Sequence, residues 1–84
     1  MDEGVLAAVR HFPERQREIE TLAASNESFR SICDDLADAE TALAGWQAST
    51  AAVREARCAE YRSLVEDLAR EAEVVLKAGR HDNR

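Results

Sequence analysis

The sequence predicts an all-α protein: a long antiparallel helical hairpin preceded by one or two short N-terminal helices. Apolar side chains recur at alternating spacings of three and four residues through residues 29–46, the a/d pattern of packed helices. A second apolar stripe follows residues 49–50. Only three glycines and one proline occur in 84 residues, which excludes collagen-like and turn-dense all-β chains.

Residues 1–24 are predicted to form the short N-terminal helical segments. Pro13 separates two of them, because proline disfavours helix at the preceding residue yet suits a first helical position. Ile19, Leu22 and Ala23 share one face of the second segment. The first segment places four apolar residues at helical spacing: Val5, Leu6, Val9 and Phe12.

Residues 25–79 are predicted to form the hairpin. Ser25 and Asn26 are good N-cap residues for its first helix, because their side chains accept hydrogen bonds from free N–H groups. The short Ser49-Thr50 turn then favours an antiparallel return. The apolar seam of the first helix consists of Phe29, Ile32, Leu36, Ala39, Leu43 and Trp46. The returning stripe consists of Val53, Tyr61, Leu64, Val65, Leu68, Ala72, Val75 and Leu76.

The end and the register of the returning helix follow from the same pattern. Gly79 suits a C-cap position, so residues 80–84 are predicted to be a disordered tail. A turn centred near Thr50 pairs Leu36 with Leu64 and Ile32 with Leu68. On this register Cys33 and Cys58 lie about 14 Å apart along the axis. A disulfide needs Cα atoms within about 7 Å, so none is expected within the chain.

Charge and hydropathy exclude several classes of function. The formal net charge is −6, which argues against binding nucleic acid through an overall electrostatic field. No run of 18 apolar residues occurs, so we expect no membrane partner. The chain begins without a basic segment followed by an apolar one, and we therefore expect a cytoplasmic location.

The residue pattern indicates no enzyme, no metal site and no cofactor. His11, His81 and the two cysteines are scattered rather than spaced as metal ligands. Carboxylates are abundant, but a helical hairpin offers no deep cleft that would shift their pKa values for acid–base catalysis. Three isolated glycines cannot form a phosphate-binding loop.

The candidate functional residues are apolar side chains and thiols. Trp46, near the tip of the hairpin, either packs against Val53 or forms part of an exposed surface for a partner. The apolar residues of the first segment, Val5, Leu6, Val9 and Phe12, either fold back onto the hairpin or pack on another chain. Cys33 lies beside the apolar seam and is expected to be a small buried hydrophobe. Cys58 follows Arg57, a charged neighbour that favours a more exposed position.

One part of the chain resembles a known family. Residues 12–43 are similar to the small bacterial YdcH-like proteins, helical hairpins of unknown function, with the SlyX-like proteins as looser relatives in shape. The resemblance implies a fold and no chemistry, so no functional residue is carried over. It depends on Phe12-Pro13-Glu14 and on Ile19, Leu22, Asn26, Phe29, Ile32, Asp34 and Leu43.

Two hypotheses from different classes remain. In the first, the protein acts through helix–helix contacts, as a coiled-coil-like homo-oligomer or by docking on a partner protein, because its apolar stripes exceed what one hairpin can cover. In the second, the protein is a thiol-based redox switch that works through Cys58 or Cys33.

Overall fold

The computed structural model describes residues 2–82 and the side chains of residues 2–78. Four α-helices make up most of this part of the chain: α1 (Glu3–His11), α2 (Gln16–Ser25), α3 (Glu27–Gln47) and α4 (Arg54–Asp82). A short 3₁₀ turn, Pro13–Arg15, joins α1 to α2. The predicted all-α class, with an antiparallel hairpin behind short N-terminal helices, is confirmed.

Capping side chains begin two of the helices. The Asp2 carboxylate accepts a hydrogen bond from the backbone N–H of Val5 at 2.9 Å and starts α1. The amide oxygen of Asn26 accepts from the N–H of Phe29 at 3.0 Å and starts α3. Both bonds satisfy N–H groups that have no partner within the helix, which fixes where each helix begins.

Helices α3 and α4 form the hairpin, and two clusters of buried side chains hold it together. The first, here the end cluster, joins all four helices near the free end of the hairpin. The second, here the middle cluster, joins α1, α3 and α4. The end cluster contains Val5, Ala8, Ile19, Ala23, Phe29, Cys33, Ala72 and Leu76. The middle cluster contains Ala7, Leu36, Ala37, Ala39, Val65 and Leu68.

The predicted register of the hairpin is wrong by a few residues. Leu36 packs in one cluster with Val65 and Leu68, whereas Leu64 is 42% exposed. Ile32 packs against the end cluster, in which Ala72 and Leu76 are the α4 members. The connection between Gln47 and Arg54 is longer than the predicted two-residue turn, so its centre and every facing pair move toward higher numbers on α4.

The two ends of α4 also differ from the prediction. Val53 lies in the connection before the helix and is 47% exposed, so it does not join the buried stripe. At the other end α4 continues through Asp82 instead of stopping at Gly79. Glycine inside a helix costs only about 1 kcal/mol relative to alanine and does not by itself end the helix. The rest of the predicted tail, residues 83 and 84, lies outside the described residues.

Helix α1 lies along α3 and runs in the same direction. Asp2 forms an ion pair with Arg30 at 2.9 Å, and the next turns of the two helices remain in contact up to Glu40. Glu40 accepts a hydrogen bond from Arg10 at 2.7 Å and contacts His11 Nε2 at 2.8 Å. Helix α1 is therefore the third packed helix that so small a hairpin needs for an adequate core.

Small residues let α1 approach α3 closely. A Cβ atom added at Gly4 would overlap Asp34 Oδ1 and would lie 3.0 Å from Asp34 N and 3.1 Å from Cys33 C. Ala7 and Ala8, one turn further on, are fully buried. Glycine suits residue 4 because a Cβ there would crowd the backbone of α3, which would have to shift by a few tenths of an ångström.

Arg15 fastens the 3₁₀ turn to α4. Its guanidinium donates a hydrogen bond to the carbonyl oxygen of Leu76 at 3.1 Å and two more to the carboxylate of Glu18. The side chain is only 9% exposed, and the bond to Glu18 raises the pKa of Arg15 above its ordinary value. A buried charge needs such partners, because burying it without them is costly.

Candidate functional site

The N-terminal candidate residues lie on the hairpin and are mostly covered by it. Val5 is 6% exposed in the end cluster, and Val9 and Phe12 pack against the same cluster. Leu6 is the exception: it points away from α3 and is 40% exposed. Of the two alternatives for this segment, the structure shows packing onto the hairpin of the same chain.

Trp46 lies in the last turn of α3 and is half-buried. It belongs to neither core cluster. Val53, its proposed packing partner, is exposed in the connection. The connection itself is closed by polar contacts: Arg54 Nε donates to the carbonyl oxygen of Gln47, and the Ala51 N–H donates to Ser49 Oγ, both at 3.0 Å.

Cys33 is a core residue. Its side chain is fully buried in the end cluster, as the sequence predicts. Burial raises the pKa of the Cys33 thiol to about 11, and the negative charges of Asp34 and Asp2 add to this effect. The thiolate is the reactive form of cysteine, so Cys33 is protected from oxidation and alkylation while the chain is folded.

Cys58 is buried as well, and the expectation of an exposed thiol is wrong. It is 5% exposed and carries a free thiol, as does Cys33. The reason lies in the heptad spacing: Cys58, Val65 and Ala72 are seven residues apart and share the buried side of α4. The side chain borders a shallow pocket of about 500 Å³ that Arg54 and Arg62 also line.

An apolar opening on the surface lies between α3 and α4. This α3–α4 groove has a volume of about 430 Å³. Leu64 is its most exposed apolar residue, and Tyr61 is half-buried beside it. Small side chains on α3 leave the space that forms the groove. Its apolar lining consists of Ala39, Ala42, Tyr61, Leu64 and Leu68.

The groove has acidic rims on both sides. On α3, Asp35 and Asp38 line the opening and form no ion pair with any residue between 2 and 78. On α4, Glu60, Asp67 and Glu71 follow the helical line of Leu64, because they are spaced three or four residues from it or from one another. Glu60 and Asp67 are paired with Arg57 and Arg70, so the carboxylates beside the apolar floor without a cationic neighbour between residues 2 and 78 are Asp35, Asp38 and Glu71.

Helix α1 does not cover the groove, because α1 contacts the opposite side of α3. The ion pair with Arg30 and the contacts with Asp34 and Glu40 fix α1 on that side. The groove residues Asp35, Asp38 and Ala42 lie on the other side of the same helix. The hairpin is thus covered on one face and open on the other.

Sequence reasoning did not single out the groove, although it placed Tyr61, Leu64 and Leu68 on the apolar stripe. A signal was present: Leu64, Val65 and Leu68 together make the stripe wider than one facing helix can cover. The one-residue difference between Leu64 and Val65 decides which of them is buried, and periodicity does not resolve that choice.

The remaining candidate residues do not form a metal site within the described part of the chain. In the part of the chain between residues 2 and 78, no three His, Cys, Asp or Glu side chains converge where they could hold a metal ion. His11 contacts Glu40, and the side chain of His81 lies outside those described.

No family model, curated protein or solved structure matches the chain. No helix within residues 2–82 combines the length and the apolar character that crossing a bilayer requires.

Proposed function

We propose that this protein is non-enzymatic and acts through helix–helix contacts, with the α3–α4 groove as its docking surface for another helix. The observation that carries the proposal is the apolar floor of the groove, where Leu64 is 42% exposed although it continues the core stripe. Exposed apolar grooves between helices are a common way of binding a partner helix.

Site-specific photo-crosslinking in the native cell tests this function. A photoreactive amino acid is placed at Leu64 in the groove and, as a control, at Val74, which is 63% exposed and does not line the groove. We expect one discrete adduct from residue 64 and none from residue 74. Mass spectrometry then identifies the adduct as a second copy or as another protein.

A second pair of variants ties the adduct to the groove. Ala42→Arg fills the groove, whereas Ala44→Arg adds the same side chain at an exposed position of α3 outside it. We expect Ala42→Arg to abolish the residue 64 adduct and Ala44→Arg to leave it intact, with circular dichroism confirming that both variants fold. Adducts of equal yield from residues 64 and 74, or none from either, would refute the proposal.

A thiol-based redox switch is the second candidate, and the surroundings of Cys58 favour that residue over Cys33. Cys58 borders a surface pocket that Arg54, Glu55 and Arg62 also line, whereas Cys33 is fully buried in the end cluster. A switch of this kind predicts a disulfide-linked dimer under oxidant, which Cys58→Ser abolishes and Cys33→Ser does not. An oligomeric state that ignores both oxidant and reductant would exclude it.

Membership of the YdcH-like family and a cytoplasmic location stay predictions. The hairpin and the observed Asn26 cap are compatible with the proposed family.

A further inference from the structure

We infer that the partner of the α3–α4 groove is a cationic amphipathic helix, an inference that depends on the proposed docking function. The groove offers an apolar floor for a row of leucine-like side chains at helical spacing. Its two rims offer carboxylates to lysines or arginines on the flanks of that helix. Among the side chains of residues 2–78, none that lines the groove is basic.

The charges on the rims identify the partner more closely than the apolar floor does. Asp35 and Asp38 have no cationic neighbour within the described side chains, although seven other carboxylates of the chain do: Asp2, Glu18, Asp34, Glu40, Glu60, Asp67 and Glu73. Glu71 on the opposite rim is likewise unpaired. These three carboxylates are therefore available to a partner, because a cation that binds them does not have to break an existing ion pair.

The same charges disfavour a second copy of this chain as the occupant. In a two-fold dimer the same patch meets itself, so the acidic rims of both copies would lie against one another. Like charges placed across an interface are unfavourable and are a common means of excluding a wrong partner. The net charge of −6 adds to this repulsion.

Binding of two matched peptides to the purified full chain tests the inference. Both are short fluorescent helices with leucine on one face; one carries lysine on its flanks and the other carries glutamate. We expect the lysine peptide to bind at least about tenfold more tightly than the glutamate peptide, with an affinity that falls as salt is added. Equal binding of both peptides would overturn the inference.

Charge-matched variants separate groove binding from general attraction to an acidic protein. Asp35→Asn with Asp38→Asn removes two charges from the rim, and Glu14→Gln with Glu20→Gln removes two from exposed positions outside the groove. We expect the first pair to weaken lysine-peptide binding about tenfold and to reduce its salt dependence, and the second pair to change it less than about twofold. Equal effects of the two pairs would overturn the inference.

The outcomes distinguish failure of this inference from failure of the proposed function. If residue 64 still crosslinks to one species in the cell but the peptides bind alike, the cationic partner is wrong and the docking function stands. If light scattering shows a dimer that Ala42→Arg dissociates and Ala44→Arg does not, the occupant is a second copy and the cationic helix is refuted. If neither crosslinking nor peptide binding occurs, both fail.

Discussion

Gly4 provides a sharp test of the close approach between α1 and α3, because Gly45 offers the matched control. Both glycines lie within helices, and both are changed to alanine. A Cβ at Gly45 has no atom within 4 Å, whereas a Cβ at Gly4 lies 3.0–3.1 Å from backbone atoms of Asp34 and Cys33. Backbone atoms inside a helix cannot rotate away as a side chain can, so the two helices must separate.

Two opposing effects set the expected magnitude. Replacing glycine by alanine in a helix stabilises it by up to about 1 kcal/mol, which is the whole effect at Gly45. At Gly4 the same gain is offset by overpacking, which costs about 1–3 kcal/mol. We therefore expect Gly45→Ala to stabilise the protein by about 0.5–1 kcal/mol and Gly4→Ala to destabilise it by about 1 kcal/mol.

Thermal and urea unfolding measure the difference. A change of 1 kcal/mol shifts the Tm of a domain of this size by about 4–8 °C, so the two variants should differ by roughly 6–16 °C. Hydrogen exchange at the amides of α1 provides a second measurement, because loosened packing speeds exchange there in Gly4→Ala alone. If Gly4→Ala gains as much stability as Gly45→Ala, α1 does not approach α3 at this point.

Three further predictions follow from the core, the 3₁₀ turn and the α3 cap. Folding raises the pKa of the Cys33 thiol from 9.0 to about 11, so between pH 9 and 11 the thiol ionises in the unfolded chain but not in the folded one. The stability that this buried thiol contributes is therefore full below pH 9 and is lost as the pH rises to 11. The free energy of unfolding should fall there by up to about 1.4 kcal/mol per pH unit, and Cys33→Ala should lack this component. Arg15→Met removes the hydrogen bond to Leu76 and should lower stability by about 1–2 kcal/mol in urea unfolding. Asn26→Ala removes the cap on Phe29 and should lower stability by about 1 kcal/mol in the same assay.

Each of these predictions has a control or a contrary outcome. Parallel loss of stability in the wild type and in Cys33→Ala between pH 9 and 11 would exclude a contribution from that thiol. Arg57→Met removes an arginine whose ion pair is exposed and should leave stability unchanged, so an equal effect at Arg15 would contradict its role in fastening α4. Ser28→Ala lies two residues beyond Asn26 without a capping bond and should be close to neutral.

The hairpin was predictable because the residues that specify its first helix lie close together in the sequence. The seam from Phe29 to Leu43 and the cap at Asn26 lie within one stretch of sequence, and helical periodicity specifies them directly. The exact pairing was not predictable in the same way. Register depends on the length of the connection between Gln47 and Arg54, and a shift of one residue there decides whether Leu64 or Val65 is buried.

The packing of α1 could not be predicted, because its partner lies about thirty residues further along the chain. The small residues Gly4, Ala7 and Ala8 indicate the face of α1 that packs on α3. Alanine is too common in this sequence for these three residues to stand out. Cys58 was misplaced for a different reason: its charged neighbours suggested exposure, whereas its heptad relation to Val65 decided its burial.

The hydrogen bond from Arg15 to Leu76 spans 61 residues, and this distance has a consequence for synthesis on the ribosome. At about 5–20 residues per second, Arg15 emerges roughly 3–12 s before its acceptor does. For that interval the nascent N-terminal segment lacks the surfaces that α3 and α4 later provide. Translation speed and holdase chaperones should therefore affect the yield of this protein more than they affect helical proteins whose contacts are all between neighbours in sequence.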